Sequence, residues 1–498
     1  MRRIAAAFVT TVFTAGCMVG PTYHRPPIAG TPAFKESPPE GWKNAEPNEG
    51  LPRGRWWEIY SDPQLNDLVS KVELSNQNVI AAMARYREAV DQVQIARAAL
   101  FPTVTTTPSA VVTKGSSLSS RGQLISSGPN GTSSGAGAGT GSGTGSSRSG
   151  SGVNVNYAMP FDISYQADIW GNIRRSVTAS QDTAQASAAD LENAKLTFQA
   201  QLAQMYFQLH GLDADADLLR RNVAIFEQSL QLTQDRFNAG VASGADVAQA
   251  RTQLESTRAQ LIDVGVGRAQ FEHAIAVLVG ETPAMVSIPE KILDSPPPQI
   301  PIGVASTLME RRPDVAATER AIAAANEQIG IAKAAYFPTL TLSGTVGFVS
   351  TNLAKLFTVP SLFWAVGPQL AATLFDGGQR KGQVRFSQAA YEESVATYRQ
   401  TVLTAFQQVE DQLSSLRILQ QEQATEAAAR QAAQDAVDIA VAQYQAGTAD
   451  YLAVIVLQAA LLQAQRLEID ILTRRLTASV LLIEALGGGW DESQLPSY

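Results

Sequence analysis

The groups in this 498-residue chain that could bind a metal, move a proton or attack an electrophile are few and scattered. The three histidines, His24, His210 and His273, lie far apart and none pairs at i, i+4, which argues against a histidine metal site or a catalytic triad. Asp213-x-Asp215-x-Asp217 has the spacing that opens a calcium loop. However, Leu218 stands where that loop needs Gly and Ala224 where it needs a bidentate Glu, so the segment reads as a solvated helix stretch. Gly131-Thr132-Ser133-Ser134-Gly135 matches a nucleophile elbow in letters only, because that motif needs a strand before it and a helix after it. There is no phosphate-binding loop, so energy has to come from a partner. Seven scattered Met and three His form no soft-metal relay. We therefore expect neither an enzyme nor a bound cofactor.

The single cysteine, Cys17, cannot form a disulfide within the chain. It follows a short positive region (Arg2, Arg3), an apolar run from Ile4 to Phe13 and the small residues Thr14-Ala15-Gly16, the layout of a secretory signal. Ala-Gly-Cys in this place resembles a bacterial lipobox. The resemblance implies cleavage after residue 16, a covalent lipid on Cys17 and, with Met18 next, release to the outer membrane. Acyl chains supply roughly 0.8 kcal/mol per buried methylene. Removal of residues 1–16 takes Arg2 and Arg3 away and moves the net charge from −8 to −10. No basic patch stands out, which speaks against nucleic acid as a partner. Past the signal there is no unbroken run of 18 apolar residues, so any membrane crossing is expected to use strands.

The elements that frame these residues are written twice. Gln94-Ile95-Ala96-Arg97-Ala98-Ala99-Leu100-Phe101-Pro102-Thr103 returns as Gly330-Ile331-Ala332-Lys333-Ala334-Ala335-Tyr336-Phe337-Pro338-Thr339, 236 positions later. Phe237-Asn238-Ala239-Gly240 returns as Tyr444-Gln445-Ala446-Gly447 at an offset of 207. The smaller offset places an insertion in the first copy, visible at 115–152, where 25 of 38 residues are Gly or Ser, the composition of a flexible loop. Val153 to Tyr165 alternates apolar and polar residues with period two, as does Thr339 to Phe348, and 103–112 and 362–375 do so less cleanly, so four strands with one oily face pair as hairpins, 102–113 with 153–168 and 338–349 with 362–375. Residues 171–238 and 377–446 lack proline and read as helices of roughly 100 Å. Gly240, Gly244 and Gly447 mark the reversals after them. The whole divides into a signal 1–16, an N-terminal extended segment 17–62, a helix 63–101 and a hairpin 102–168 bearing the loop 115–152. A helical hairpin 171–280, a connector 281–312, a helix 313–337, a hairpin 338–375, a helical hairpin 377–486 and a tail 487–498 follow.

Four such strands cannot close a barrel, since small membrane barrels need about eight, and open edges are not tolerated in lipid. Other copies must complete the sheet, and three copies would supply about twelve strands. Ala-rich helix faces with narrow apolar seams suit a curved wall better than a solid bundle.

The chain resembles the outer membrane efflux protein (TolC-like) family, in its lipoprotein branch serving RND-type pumps. The likeness rests on Cys17-x-Val19-Gly20-Pro21-x-Tyr23, Trp56-Trp57 with Asp62-Pro63-x-Leu65, Arg311-Arg312-Pro313-Asp314-Val315, the two Phe-Pro-Thr strand starts and Leu374-Phe375-Asp376-Gly377-Gly378. It implies an α+β homotrimer with a 12-stranded β-barrel, a long α-helical barrel and a small mixed equatorial domain. Its role would be a passive conduit for drugs or other small molecules, in the outer membrane of a Gram-negative bacterium with its helices in the periplasm. A periplasmic adaptor and an inner-membrane RND pump would be its partners. A type I-like protein secretion or metal efflux conduit is the alternative on the same architecture. By the family's pattern the periplasmic tip comprises the reversals around 237–246 and 444–452. A constriction of Leu, Asp and Arg on the last long helix matches Leu452, Val456 and Ala459 here, so Val456 and Ala459 stand where relatives carry charge. We expect Leu452 and Val456 to form an apolar gate, with Asp450 or Asp246 either supplying charge at the mouth or capping helix N-termini.

Overall fold

The computed structural model describes residues 18–27, 34–39, 54–114, 153–293, 295–301 and 311–498. The signal, Cys17 and the insertion 115–152 with its Gly131–Gly135 match lie outside the described residues. The chain forms two compact units. Of the described residues, one gathers those within 97–174 and 333–380, with Met18 and Val19; the other gathers those within 20–96, 175–332 and 381–498.

The first unit is an antiparallel sheet. Strands β1 (Thr103–Thr106), β2 (Ser109–Lys114), β3 (Val153–Ala167), β4 (Thr339–Ser350) and β5 (Leu362–Ala371) run in the order β1-β3-β4-β5, with β2 also on β3. The register lines up the alternating residues. Ile163 faces Val104, Phe161 faces Val346, Tyr165 faces Leu342, and Val346 in turn faces Trp364. One face is thus apolar across the sheet, with Trp364 73% and Val366 79% exposed on it. The other face carries Asp162, Ser164, Gln166, Thr341, Ser343 and Thr345, and Thr345 donates to Asp162 at 2.6 Å. This follows from period two alone, since same-face residues pair across an antiparallel ladder.

Segment 102–113 is expected as one strand and is found as two. β1 and β2 keep a single register on β3 but break at Thr107 and Pro108, opposite Pro160 and Met159. Proline has no N–H to give the ladder, and here two prolines meet. Gly347 pairs with Pro160, where a Cβ would come within 2.4 Å of the Met159 carbonyl oxygen. The second hairpin ends at Ala371 rather than 375. Its continuation is a cap: Asp376 accepts from the amides of Gly378 and Arg380 and from Arg380 Nε. In the first copy Trp170 stands at that place, and Asp168, two residues earlier, accepts from Ile173 and Arg174. Nearby, the Val19 amide bonds the Trp170 carbonyl at 3.2 Å, and the Trp170 ring stacks on Phe337 at 4.6 Å.

The second unit is helical. Its helices are α1 (Pro63–Ser75), α2 (Gln77–Ala98), α3 (Asn172–Asn238), α4 (Gly244–Leu278), α5 (Pro313–Ala334), α6 (Gln379–Gln445) and α7 (Tyr451–Ala485). The duplication is strict in length: α3 and α6 have 67 residues each, α4 and α7 have 35 each. Where one helix is expected over 63–101, Asn76 divides α1 from α2. Its carboxamide oxygen accepts from Asn78 and Val79, and its amide donates to the Leu278 carbonyl at the end of α4. Arg312, 236 positions on, does the matching work: it donates to the Ala485 carbonyl at the end of α7 and pairs with Asp314, which caps Val315. The Arg-Pro-Asp-Val motif is therefore a clasp between one helix start and another helix end.

Trp56, Trp57, Leu65, Val69, Tyr206 and Phe207 form part of the main core, with Tyr206 donating to Asp62, the N-cap of α1. The N-terminal segment is held along α3, α5 and α6: the Pro21 carbonyl accepts from Arg175 and Asn326, Tyr23 donates to Glu319, and the amides of Lys35 and Glu36 donate to Glu410. Among the described residues one helix, α7, is long and apolar enough to cross a membrane by length and composition, although the sequence has no unbroken apolar run there. Gln458 and Gln463 interrupt the run while the window keeps a mean hydropathy of 1.4. Only 28% of that window is buried, so α7 presents much of its apolar surface outward from the single chain.

Candidate functional site

Both reversals are built the same way. Gly240 and Gly447 each have φ +76°, a left-handed conformation that costs a side-chain-bearing residue roughly 1–2 kcal/mol. At each, the glycine amide bonds back to residue i−3 and the next amide to residue i−5: Gly240 to Phe237 and Val241 to Arg236, Gly447 to Tyr444 and Thr448 to Gln443. These are Schellman closures that satisfy the last carbonyls of α3 and α6. Gly244, by contrast, is simply the first residue of α4.

The copies differ at the next helix start. Ser243 and Asp246 form a reciprocal capping box, with the Asp246 carboxylate on the Ser243 amide at 2.9 Å. Asp246 therefore serves the cap. Asp450 is the N-cap of α7 yet makes no side-chain cap hydrogen bond. Its carboxylate stands at a helix N-terminus, where negative charge is favoured.

Three further residues gather here that the sequence reading passed over. The Arg236 guanidinium sits 4.6 Å from the Tyr444 ring centre, and Tyr444 lies 5.1 Å from Tyr451. Burial pushes the Tyr451 hydroxyl pKa up. Tyr444 and Tyr451 replace Phe237 and Gly244 of the first copy, so the repeat itself held the signal: both positions gain a phenol in the second copy.

Leu452 is 54% and Val456 58% exposed, and Ala459 is exposed beside them, whereas Tyr451, Val454, Gln458, Leu461 and Leu462 are buried. Farther along the helix, Ser479 is buried against the Tyr60 hydroxyl at 2.7 Å. At about 100° per residue, Leu452, Val456, Ala459, Gln463, Asp470 and Arg474 all fall roughly opposite Ser479. On α3, likewise, Tyr206, His210 and Asp213 turn toward Asp62, Arg268 and Lys291. Gln208, Gly211, Leu212 and Asp215 take the opposite face and meet α7 there. One continuous face, made of α3 and α7, is thus turned away from the tryptophan-rich core.

The acidic triplet is fully engaged. Asp213 accepts from His210 Nδ1 at 2.8 Å, Arg268 Nε at 2.7 Å and the Lys291 amide. Burial alone would raise its pKa, but these donors outweigh it and hold the carboxyl below its usual range. Asp215 takes two bonds from Arg466, and Asp217 pairs with Arg221. Among the described residues no three His, Cys, Asp or Glu side chains are placed to hold a metal ion.

A sheet with one lipid-compatible face and two outer strands, joined to paired long helices with an apolar exposed stripe, defines a membrane channel subunit. The model of the outer membrane efflux protein family matches residues 68–281 and 304–488, and the chain belongs to that family. It is 31% identical over 442 residues to the pyoverdine export outer membrane protein OpmQ of Pseudomonas aeruginosa, covering 88% of each chain. It is 28% identical over 492 residues to the probable efflux pump outer membrane protein TtgC of Pseudomonas putida, covering 97% of this chain and 95% of that one. Its fold is similar to the outer-membrane channel OprN, with a TM-score of 0.83, 27% identity and coverage of 95% of this chain and 100% of that one. The protein is an outer-membrane efflux channel component.

Proposed function

We propose that three copies of this chain close a twelve-stranded barrel in the outer membrane and continue it as a helical tube, the passive conduit of a tripartite RND-type efflux pump. The observation that carries this reading is the sheet: one apolar face and two outer strands, β1/β2 and β5, whose outer edges no strand pairs among the described residues. In lipid such edges are untenable, and neighbouring copies supply the missing partners. The α7 face becomes the bore, with Leu452 and Val456 as the apolar constriction and Ala459 one turn behind. Asp450 provides charge at the mouth, while Asp246 holds the α4 cap.

A periplasmic adaptor and an inner-membrane pump would supply docking, energy and substrate choice, since the tube has no energy-coupling motif of its own. The cargo would be drugs or other small organic molecules; the similar OpmQ is named for export of pyoverdine. The chain needs no enzymatic step and no cofactor for this role. An acyl anchor on Cys17 would sit two residues before Val19, which is tied to Trp170 at the base of the sheet. Co-purification with candidate adaptor–pump pairs, followed by drug susceptibility of a deletion strain, tests the proposal. Recovery of one adaptor–pump pair with hypersensitivity on deletion is expected; wild-type susceptibility with every pump present would count against drug efflux.

A further inference from the structure

We infer that the α3–α7 face carries a binding site for organic cations with an apolar body, centred on Asp470 and well separated along α7 from Leu452; this rests on reading that face as the bore. Two cavities of about 500 and 530 Å³ open on the face and share Gln208, Asp470 and Thr473. They flank a close approach of the two helices, where a Cβ at Gly211 would lie 2.5 Å from Thr473 Oγ1. Each is large enough for a drug-sized molecule. Leu212, Phe271 and Leu467 give the first an apolar wall, and Ile418, Leu419 and Leu481 do so for the second.

The charges at these walls do not balance. Among the described residues that line them, the acids are Asp215, Glu422 and Asp470 and the bases Arg466 and Arg474, one negative charge more than positive. Arg466 is committed to Asp215 through bonds of 2.9 and 2.8 Å. Arg474 stands between two carboxylates, 3.5 Å from Asp470 and 4.0 Å from Glu422, so one guanidinium is shared by both. The excess is therefore shared by Glu422 and Asp470, and of the two only Asp470, its side chain 58% exposed, lines both cavities. Negative charge beside low-dielectric walls focuses the field on a cation, and the apolar lining adds attraction only for a cation with an apolar body. An anion with the same apolar body would gain the lining but be repelled by the field.

The test uses the full-length protein in planar bilayers, with tetraphenylphosphonium added to both sides and tetramethylammonium as the small-cation control. Tetraphenylphosphonium should block wild-type current. Its half-blocking concentration should rise about fivefold in Asp470→Asn, the scale of one exposed charge pair, and fall in Arg474→Gln. Tetramethylammonium should block weakly in all three. No block of wild type, or a half-blocking concentration unchanged in both variants, overturns the site. Equal shifts for the two cations overturn it as well, because they describe a charge filter with no apolar pocket. Absence of channel current from all three proteins contradicts the conduit reading itself, and this inference with it.

Discussion

Arg312 is the residue on which the second copy closes: from a position only 7% exposed it reaches Asp314, Gln408 and the Ala485 carbonyl. Arg312→Ala strands the Asp314 carboxylate and a helix-end carbonyl together. A loss of about 3 kcal/mol is expected, read as a lower unfolding midpoint of the purified protein, with no comparable change for the exposed Arg474→Ala. Asp182 gives the pH dependence. Burial raises its carboxyl pKa to about 6; Arg320 opposes this, and Glu327 and Glu319 reinforce it. Between about pH 4 and pH 6 the folded state holds a proton that the unfolded state releases, so stability falls as pH rises through that window. Asp182→Asn should therefore stabilise the protein at pH 7.5 and narrow the difference in melting temperature between pH 5 and pH 7.5. An unchanged pH profile would show that another group sets it. Leu452→Ala should raise single-channel conductance, and equal conductance would remove Leu452 from the constriction.

At the scale of elements, the duplicated helices, the apolar sheet face and the glycine reversals were legible because each rests on local spacing. Alternation from Val153 to Tyr165 is visible in sequence, and Gly240 and Gly447 announce their turns where the chain must go left-handed. What was not legible depends on distant partners. The break at Asn76 needs the Leu278 carbonyl 202 residues away, and the face that α7 exposes is fixed by Ser479 meeting Tyr60 across 419 residues. The aspartates of the two reversals could not be separated by type either, since Asp246 at N3 and Asp450 at the N-cap suit caps equally; only the geometry assigns Asp246 to its capping box. The reversals predict their own mutant. Gly447→Ala should destabilise the closure of α6 by about 1 kcal/mol, seen as faster hydrogen exchange at Gln443 to Thr448, and unchanged exchange would refute the strain.

At the scale of the molecule, the copies divide the labour. Their likeness supplies four ladder strands and two helical pairs to a wall that other chains would complete in the proposed trimer, and their differences supply the phenols, the Asp450 carboxylate without a cap bond and the α7 stripe. In the proposed trimer this stripe lines a bore shared by three chains. Gln463 lies on it between the apolar end and Asp470, and the native chain has no cysteine beyond Cys17. The direct measurement is single-channel current of Gln463→Cys exposed to a charged methanethiosulfonate reagent. Three discrete downward steps are expected in each channel and none in the wild type. No block, or block complete in one or two steps, would contradict a three-chain bore lined by α7.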